Sequence, residues 1–108
     1  MASLQNHIIV IGHGRLGSVV ARELHETGHG VCVIEKDPQL LMGLSAGIPH
    51  ILGDGADDRV LIEAGIHRAR GVAVTCAPLA DAVFVTLSAR QLNPTVTILT
   101  RVENAEGG

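Results

Sequence analysis

Tryptophan and tyrosine are absent from this sequence, and Phe84 is its one aromatic residue. A core without rings must be built from Val, Ile, Leu and Ala, in a chain whose apolar residues amount to 46%, and such side chains suit packed α/β layers. The same lack removes aromatic stacking platforms, and a formal net charge of -3 with scattered basic residues leaves no electrostatic footprint for nucleic acid. Cysteine is scarce too: Cys32 and Cys76 fall in a strand and at a strand end, so buried or semi-buried free thiols are expected, with a redox switch the lesser alternative. Residues 1–6 lack a basic region followed by an apolar run, which argues against a signal peptide. No apolar stretch approaches the roughly 18 to 20 residues of a membrane-spanning helix, so a soluble, cytoplasmic chain with no direct membrane insertion is expected. The six histidines show no ligand spacing, and no metal site is expected.

With 108 residues the chain makes one domain, residues 1–108, able to bury about two thirds of the surface its unfolded form exposes. It is organised around residues 7–35: an apolar strand over 7–11, the turn Gly12-His13-Gly14-Arg15-Leu16-Gly17, a helix over 15–27, and a second strand over 30–34 delivering Glu35. In the helix, Leu16, Val19, Val20 and Leu24 form the stripe expected to pack on the sheet. The second strand is apolar throughout, as burial on both faces requires. Asp37-Pro38 reads as N-cap and first residue of a second helix running through Leu40, Leu41 and Leu44 to Gly47.

A third strand over 50–52 follows, then a helix capped by Asp57 or Asp58, a fourth strand over 71–75, a fourth helix over about 81–91 and a fifth strand over 96–100. Strict alternation predicts a three-layer Rossmann-like α/β fold, a doubly wound parallel sheet in the order 3-2-1-4-5 with right-handed crossovers. Residues 102–108 give no confident element and read as a disordered or cut tail.

A G-x-G-x-x-G turn gains meaning from its context, and here a strand precedes it, a helix follows it, and Glu35 lies eighteen residues after its last glycine. Gly12 permits the tight turn, Gly14 lets backbone approach a phosphate, and Gly17 lets the helix sit close to the strand. Arg15 and the helix amino terminus favour the anion. Glu35 is placed to accept both ribose hydroxyls and would repel a 2′-phosphate, which favours NAD(H) or an adenine nucleotide over NADP(H). Lys36, on the neighbouring strand position, is expected to point to the opposite face. Asp54 is a candidate for the adenine or second-ribose side and reads equally as a turn or capping residue. Thr75 shares that candidacy, though for it and Cys76 strand-end packing is the stronger alternative. His13 reads as a plain turn residue within the cradle.

Gly53-Asp54-Gly55-Ala56-Asp57-Asp58-Arg59-Val60-Leu61-Ile62-Glu63-Ala64-Gly65-Ile66, with Ala69-Arg70-Gly71-Val72-Ala73-Val74, resembles the G-D-A-x-x-x-x-x-L-x-x-A-G-I-x-x-A-x-x-V pattern of the RCK domain, also called KTN or TrkA-N. The glycine turn looks most like the branch fused to cation/proton antiporter-type efflux proteins. The resemblance covers residues 7–101 and implies a regulatory module of potassium channels and potassium efflux systems. Such a module binds NAD(H), AMP, ADP or ATP, pairs as a homodimer and catalyses nothing. On that resemblance Gly12, Gly14, Arg15 and Gly17 hold phosphate, Glu35 holds ribose, Asp54 lies by the adenosine, and Arg101 stands near the phosphates or the dimer contact. Gly55 departs from the family's alanine, and residues 76–82 lack its acidic pair and asparagine. The family's second lobe is missing, so the chain looks like a nucleotide lobe cut from a longer membrane protein. Helix four, with Ala82, Val83, Phe84, Val85 and Leu87 around more than one face, independently suggests an interface. The rival reading is the cofactor-binding half of an NAD-dependent oxidoreductase, whose substrate pocket and proton donor would have to come from elsewhere.

Overall fold

The computed structural model describes residues 4–76 and 78–100. Five parallel strands, β1 (Ile8–Ile11), β2 (Val31–Glu35), β3 (His50–Leu52), β4 (Gly71–Val74) and β5 (Thr97–Thr100), form one sheet in the order β3-β2-β1-β4-β5. β1 is central, and its register sets Val10 beside Val33 on one side and Ala73 on the other. Side chains alternate between the faces, so Ile9, Ile11, Cys32, Ile34, Val72 and Val74 enter one core layer while Val10, Val31, Val33 and Ala73 enter the other. Each fully buried aliphatic side chain is worth about 1.5–3 kcal/mol, enough for the middle strands to hold the sheet without aromatic rings.

The first layer is closed by α3 (Asp58–Glu63), a 3₁₀ turn (Ile66–Arg68) and α4 (Leu79–Leu92), through Leu61, Ala64, Ile66, Ala82, Val85 and Ala89. The second is closed by α1 (Arg15–Glu26) and the segment holding α2 (Pro38–Leu41), through Ala21, Val20, Leu24, Leu41, Leu44 and Ile48. α1 turns differently from its expected stripe. Gly17 and Ala21 are its buried positions, Leu16 is half-buried, and Val19 is exposed. The two small residues let the helix lie close to the sheet, which rotates Val19 outward.

α2 is shorter than the sequence suggests. Asp37 caps it, accepting from the Gln39 amide at 2.9 Å, but it ends after Leu41, with turns carrying the chain onward. Glycines at 43 and 47 lower helix propensity there, and Leu44 still reaches the core from irregular chain beyond the helix. Asp57 is the cap of α3, and α4 starts at Leu79, two residues earlier than expected. At the base of the sheet His7 is fully buried and donates Nε2–H to the Ala64 carbonyl at 2.7 Å, tying the start of β1 to the end of α3.

Candidate functional site

The carboxyl ends of β1, β2, β3 and β4 surround a cavity of about 430 Å³. At its floor the glycine turn links β1 to α1. Gly12 has φ +101°, open to glycine and rarely to other residues, and its amide donates to the Ile34 carbonyl at 2.8 Å. A Cβ at Gly17 would stand 2.0 Å from the Gly12 carbonyl oxygen, so only a hydrogen atom fits between turn and helix. A Cβ at Gly14 would meet nothing within 4 Å, and Gly14 lines the cavity. Gly12 and Gly17 therefore serve the fold, whereas the space before Gly14 is free for a ligand.

α1 begins there without a side-chain cap. The amides of Arg15, Leu16 and Gly17 find no acceptor among the described residues, Ser18 being the first to bond back, to the Gly14 carbonyl at 3.0 Å. Arg15 is exposed, lines the cavity and has no ion-pair partner among the described residues. Unpaired amides, the positive end of the helix dipole and a free guanidinium make a fit for a phosphate.

Glu35 is buried at the wall, and both its oxygens are engaged: Oε1 accepts the His13 amide at 2.6 Å and Oε2 the Asp37 amide at 2.9 Å. One carboxylate thus fastens the glycine turn to the start of α2. Each oxygen keeps a second lone-pair position for a hydroxyl, and the carboxylate lines the cavity. His13 strengthens the same join. Its buried ring donates Nδ1–H to the Leu40 carbonyl at 2.8 Å, and it does not line the cavity, so its side chain serves the wall. Thr75 closes the turn from the other side, donating its hydroxyl to the carbonyls of Ile11 at 2.9 Å and Gly12 at 3.2 Å.

Asp54 holds an Asx turn, accepting the Ala56 amide at 2.8 Å, and also lines the cavity, so its two readings coexist. Gly55 is buried beside Ile11, whose γ2 methyl would lie 2.6 Å from an added Cβ. Here the branched Ile11 fills the space that an alanine methyl would need. Cys76 lines the cavity half-buried, burial raising its thiol pKa, and Cys32 is a buried free thiol. Leu16 and Leu40 supply apolar wall. Arg101 lies outside the described residues.

Lys36 departs from expectation. It lines the cavity, where its Nζ meets Asp81 Oδ2 at 2.9 Å, and that hydrogen bond raises the lysine pKa. Asp81 was not legible as a site residue, because forty-five positions separate it from Lys36 and no local pattern joins them. Its place in the first turn of the helix after β4 is the only signal the sequence carries. Among the described residues no group of three or more metal-ligating side chains occurs, and no helix is long and apolar enough to cross a membrane.

The family model described as TrkA-N domain matches residues 8–107. "Potassium channel protein 1" of Methanocaldococcus jannaschii is 37% identical over 103 residues, which cover 93% of this chain and 31% of that protein. The crystal structure of the TrkA-N domain of inner membrane protein ybaL from Escherichia coli superimposes with a TM-score of 0.88 at 25% identity, covering 97% of this chain and 78% of that one. The Kef C-terminal domain of Shewanella denitrificans in AMP-bound form shares the fold, with a TM-score of 0.80 at 24% identity over 92% of this chain and 60% of that one. The chain thus spans about a third of the length of the potassium channel protein it matches.

Proposed function

This chain belongs to the TrkA-N family, and from that premise we propose that it is a nucleotide-sensing regulatory domain controlling a potassium channel or a cation/proton efflux transporter. The observation that carries the reading is the phosphate cradle: three unpaired amides and the free Arg15 guanidinium at the start of α1, beside an open Gly14. The cavity continues past Glu35 to Asp54. A carboxylate at the ribose position favours NAD(H), AMP, ADP or ATP and repels a 2′-phosphate. The AMP carried by the Kef domain of the same fold supports an adenine nucleotide.

Signalling would pass through a homodimer. α4 buries Ala82, Val85 and Ala89 inward, while Leu79, Val83, Phe84 and Leu87 stand 47–61% exposed on its outer side. A contiguous apolar face of this kind seeks a partner surface, and a second copy of the chain supplies one. Coupling of about 1–3 kcal/mol between the cradle and the dimer would suffice to bias an attached transport protein. The function is binding without turnover, and incubation with NADH and carbonyl substrates should give no reaction.

Calorimetry tests the site. Arg15→Ala and Glu35→Ala should each weaken AMP or NAD binding by roughly ten- to hundredfold, the worth of a hydrogen bond to a charged group. Unchanged affinity in both variants would remove the assignment. A native mass spectrum of the purified protein reports the subunit count and the mass of any retained nucleotide together.

A further inference from the structure

Most of the cavity wall is fixed by bonds that a ligand cannot easily move. Glu35 and His13 join the glycine turn to α2 through buried and part-buried hydrogen bonds, and Thr75 joins it to β4. α4 is different at its first turn. Its middle and end are held by Ser88, donating to the Ala56 carbonyl at 3.0 Å, and by Asn93, donating to the Ile66 carbonyl at 2.8 Å. The first turn, near the cavity, has one side-chain link across the mouth among the described residues, the Lys36–Asp81 pair. Both side chains line the cavity and both are partly exposed. Solvent screens exposed pairs of this kind and leaves them weak, so this is the wall's weakest seam.

Charge decides what a nucleotide does to that seam. Lys36 is the chain's single lysine, and it faces Asp81 and Asp54, with Cys76 nearby. An anionic ligand attracts Lys36 and repels Asp81, so it competes directly with the pair. Asp81 lies two residues beyond Leu79, the first member of the exposed apolar face of α4.

We propose that Asp81 is a positioning residue which, through Lys36, clasps the first turn of α4 to the rim of β2, and that nucleotide opens this clasp and thereby alters how the outer face of α4 pairs with a second copy of the chain. The inference rests on the nucleotide-sensing reading and names the contact that transmits the ligand state. Because the pair is weak, the effect is bounded: nucleotide changes the self-association constant about two- to fivefold, and by linkage association changes nucleotide affinity by the same factor.

The test measures self-association by sedimentation equilibrium, with and without saturating AMP or NAD, for the wild type, Asp81→Asn and the charge swap Lys36→Asp/Asp81→Lys. The expected result is a nucleotide-dependent association constant in the wild type, none in Asp81→Asn, and a return of dependence in the swap. Reductive ¹³C-methylation labels only Lys36 and the amino terminus, so the Lys36 resonance reports the clasp directly. It should differ between ligand-free wild type and Asp81→Asn, and identical resonances would overturn the inference. So would a wild type that binds nucleotide with unchanged association, or an Asp81→Asn variant that keeps the full dependence. A wild type that binds no nucleotide in calorimetry would instead overturn the reading on which the inference rests.

Discussion

A methyl group added at Gly14 and one added at Gly17 meet opposite surroundings within a single turn. At Gly17 it collides with the Gly12 carbonyl at 2.0 Å and the Thr75 hydroxyl at 2.7 Å, and the helix must lift from the strand. Gly17→Ala should therefore destabilise the fold by about 1–3 kcal/mol or more, read as a lowered urea midpoint. Gly14→Ala enters open space and should leave stability within about 0.5 kcal/mol while weakening nucleotide binding in calorimetry. Cys32 makes a second prediction at this scale. Burial pushes its thiol up from 9.0 to about 11, so the folded chain holds that proton more tightly than the unfolded chain. Its contribution is complete below pH 9 and is lost as pH rises towards 11, at most about 2–3 kcal/mol. Urea midpoints measured across that window should fall, and Cys32→Ala should flatten the fall.

Elements show where local pattern ran out. α1, the cap Asp37, an α3 cap at Asp57 or Asp58, and all five strands were legible, because capping and periodicity act between near neighbours. The outward turn of Val19 was not, since it depends on how closely Gly17 and Ala21 let α1 approach the sheet, and α2 stops at Leu41 because Gly43 and Gly47 weaken the helix beyond it. Glu35 illustrates the point for the site: its place at the end of β2 was readable, but its engagement by the His13 and Asp37 amides was not. Glu35→Ala should consequently cost about 1–3 kcal/mol in denaturant unfolding even without ligand, because two amides lose their acceptor. On α4 the outer face predicts the reverse behaviour. Phe84→Asp, at a position 61% exposed, should leave monomer stability nearly unchanged while abolishing self-association in sedimentation.

For the whole molecule, the consequence of the cradle is linkage between ligand and folding. AMP or NAD at a hundredfold its dissociation constant should stabilise the native chain by about 2.7 kcal/mol, a melting shift of roughly 10 °C that calorimetric scanning resolves. The molecule is unevenly covered, however. On the α1 side of the sheet, Leu99 of β5 is exposed beside a shallow hollow lined by Ile8, Arg70, Gly71 and Thr97, while α1 and the α2 segment cover β1 and β2. The three-layer arrangement is therefore complete around the cavity and open at β4 and β5 among the described residues.

By itself the sequence determined the strand order, the glycine turn, the acid at the end of β2 and the two-faced character of α4. The turn, the acid and the helix face follow from residues within a few positions of one another, where spacing, capping and φ preference act directly, and the strand order follows from the alternation of elements with right-handed crossovers. Only the tertiary structure decided that Lys36 turns towards the cavity to meet Asp81, that the His13 ring is spent on the Leu40 carbonyl, and that Ile11 takes the space beside Gly55. Those contacts join residues twenty-seven to forty-five positions apart. No periodicity links them, and packing of the strand ends alone brings them within reach.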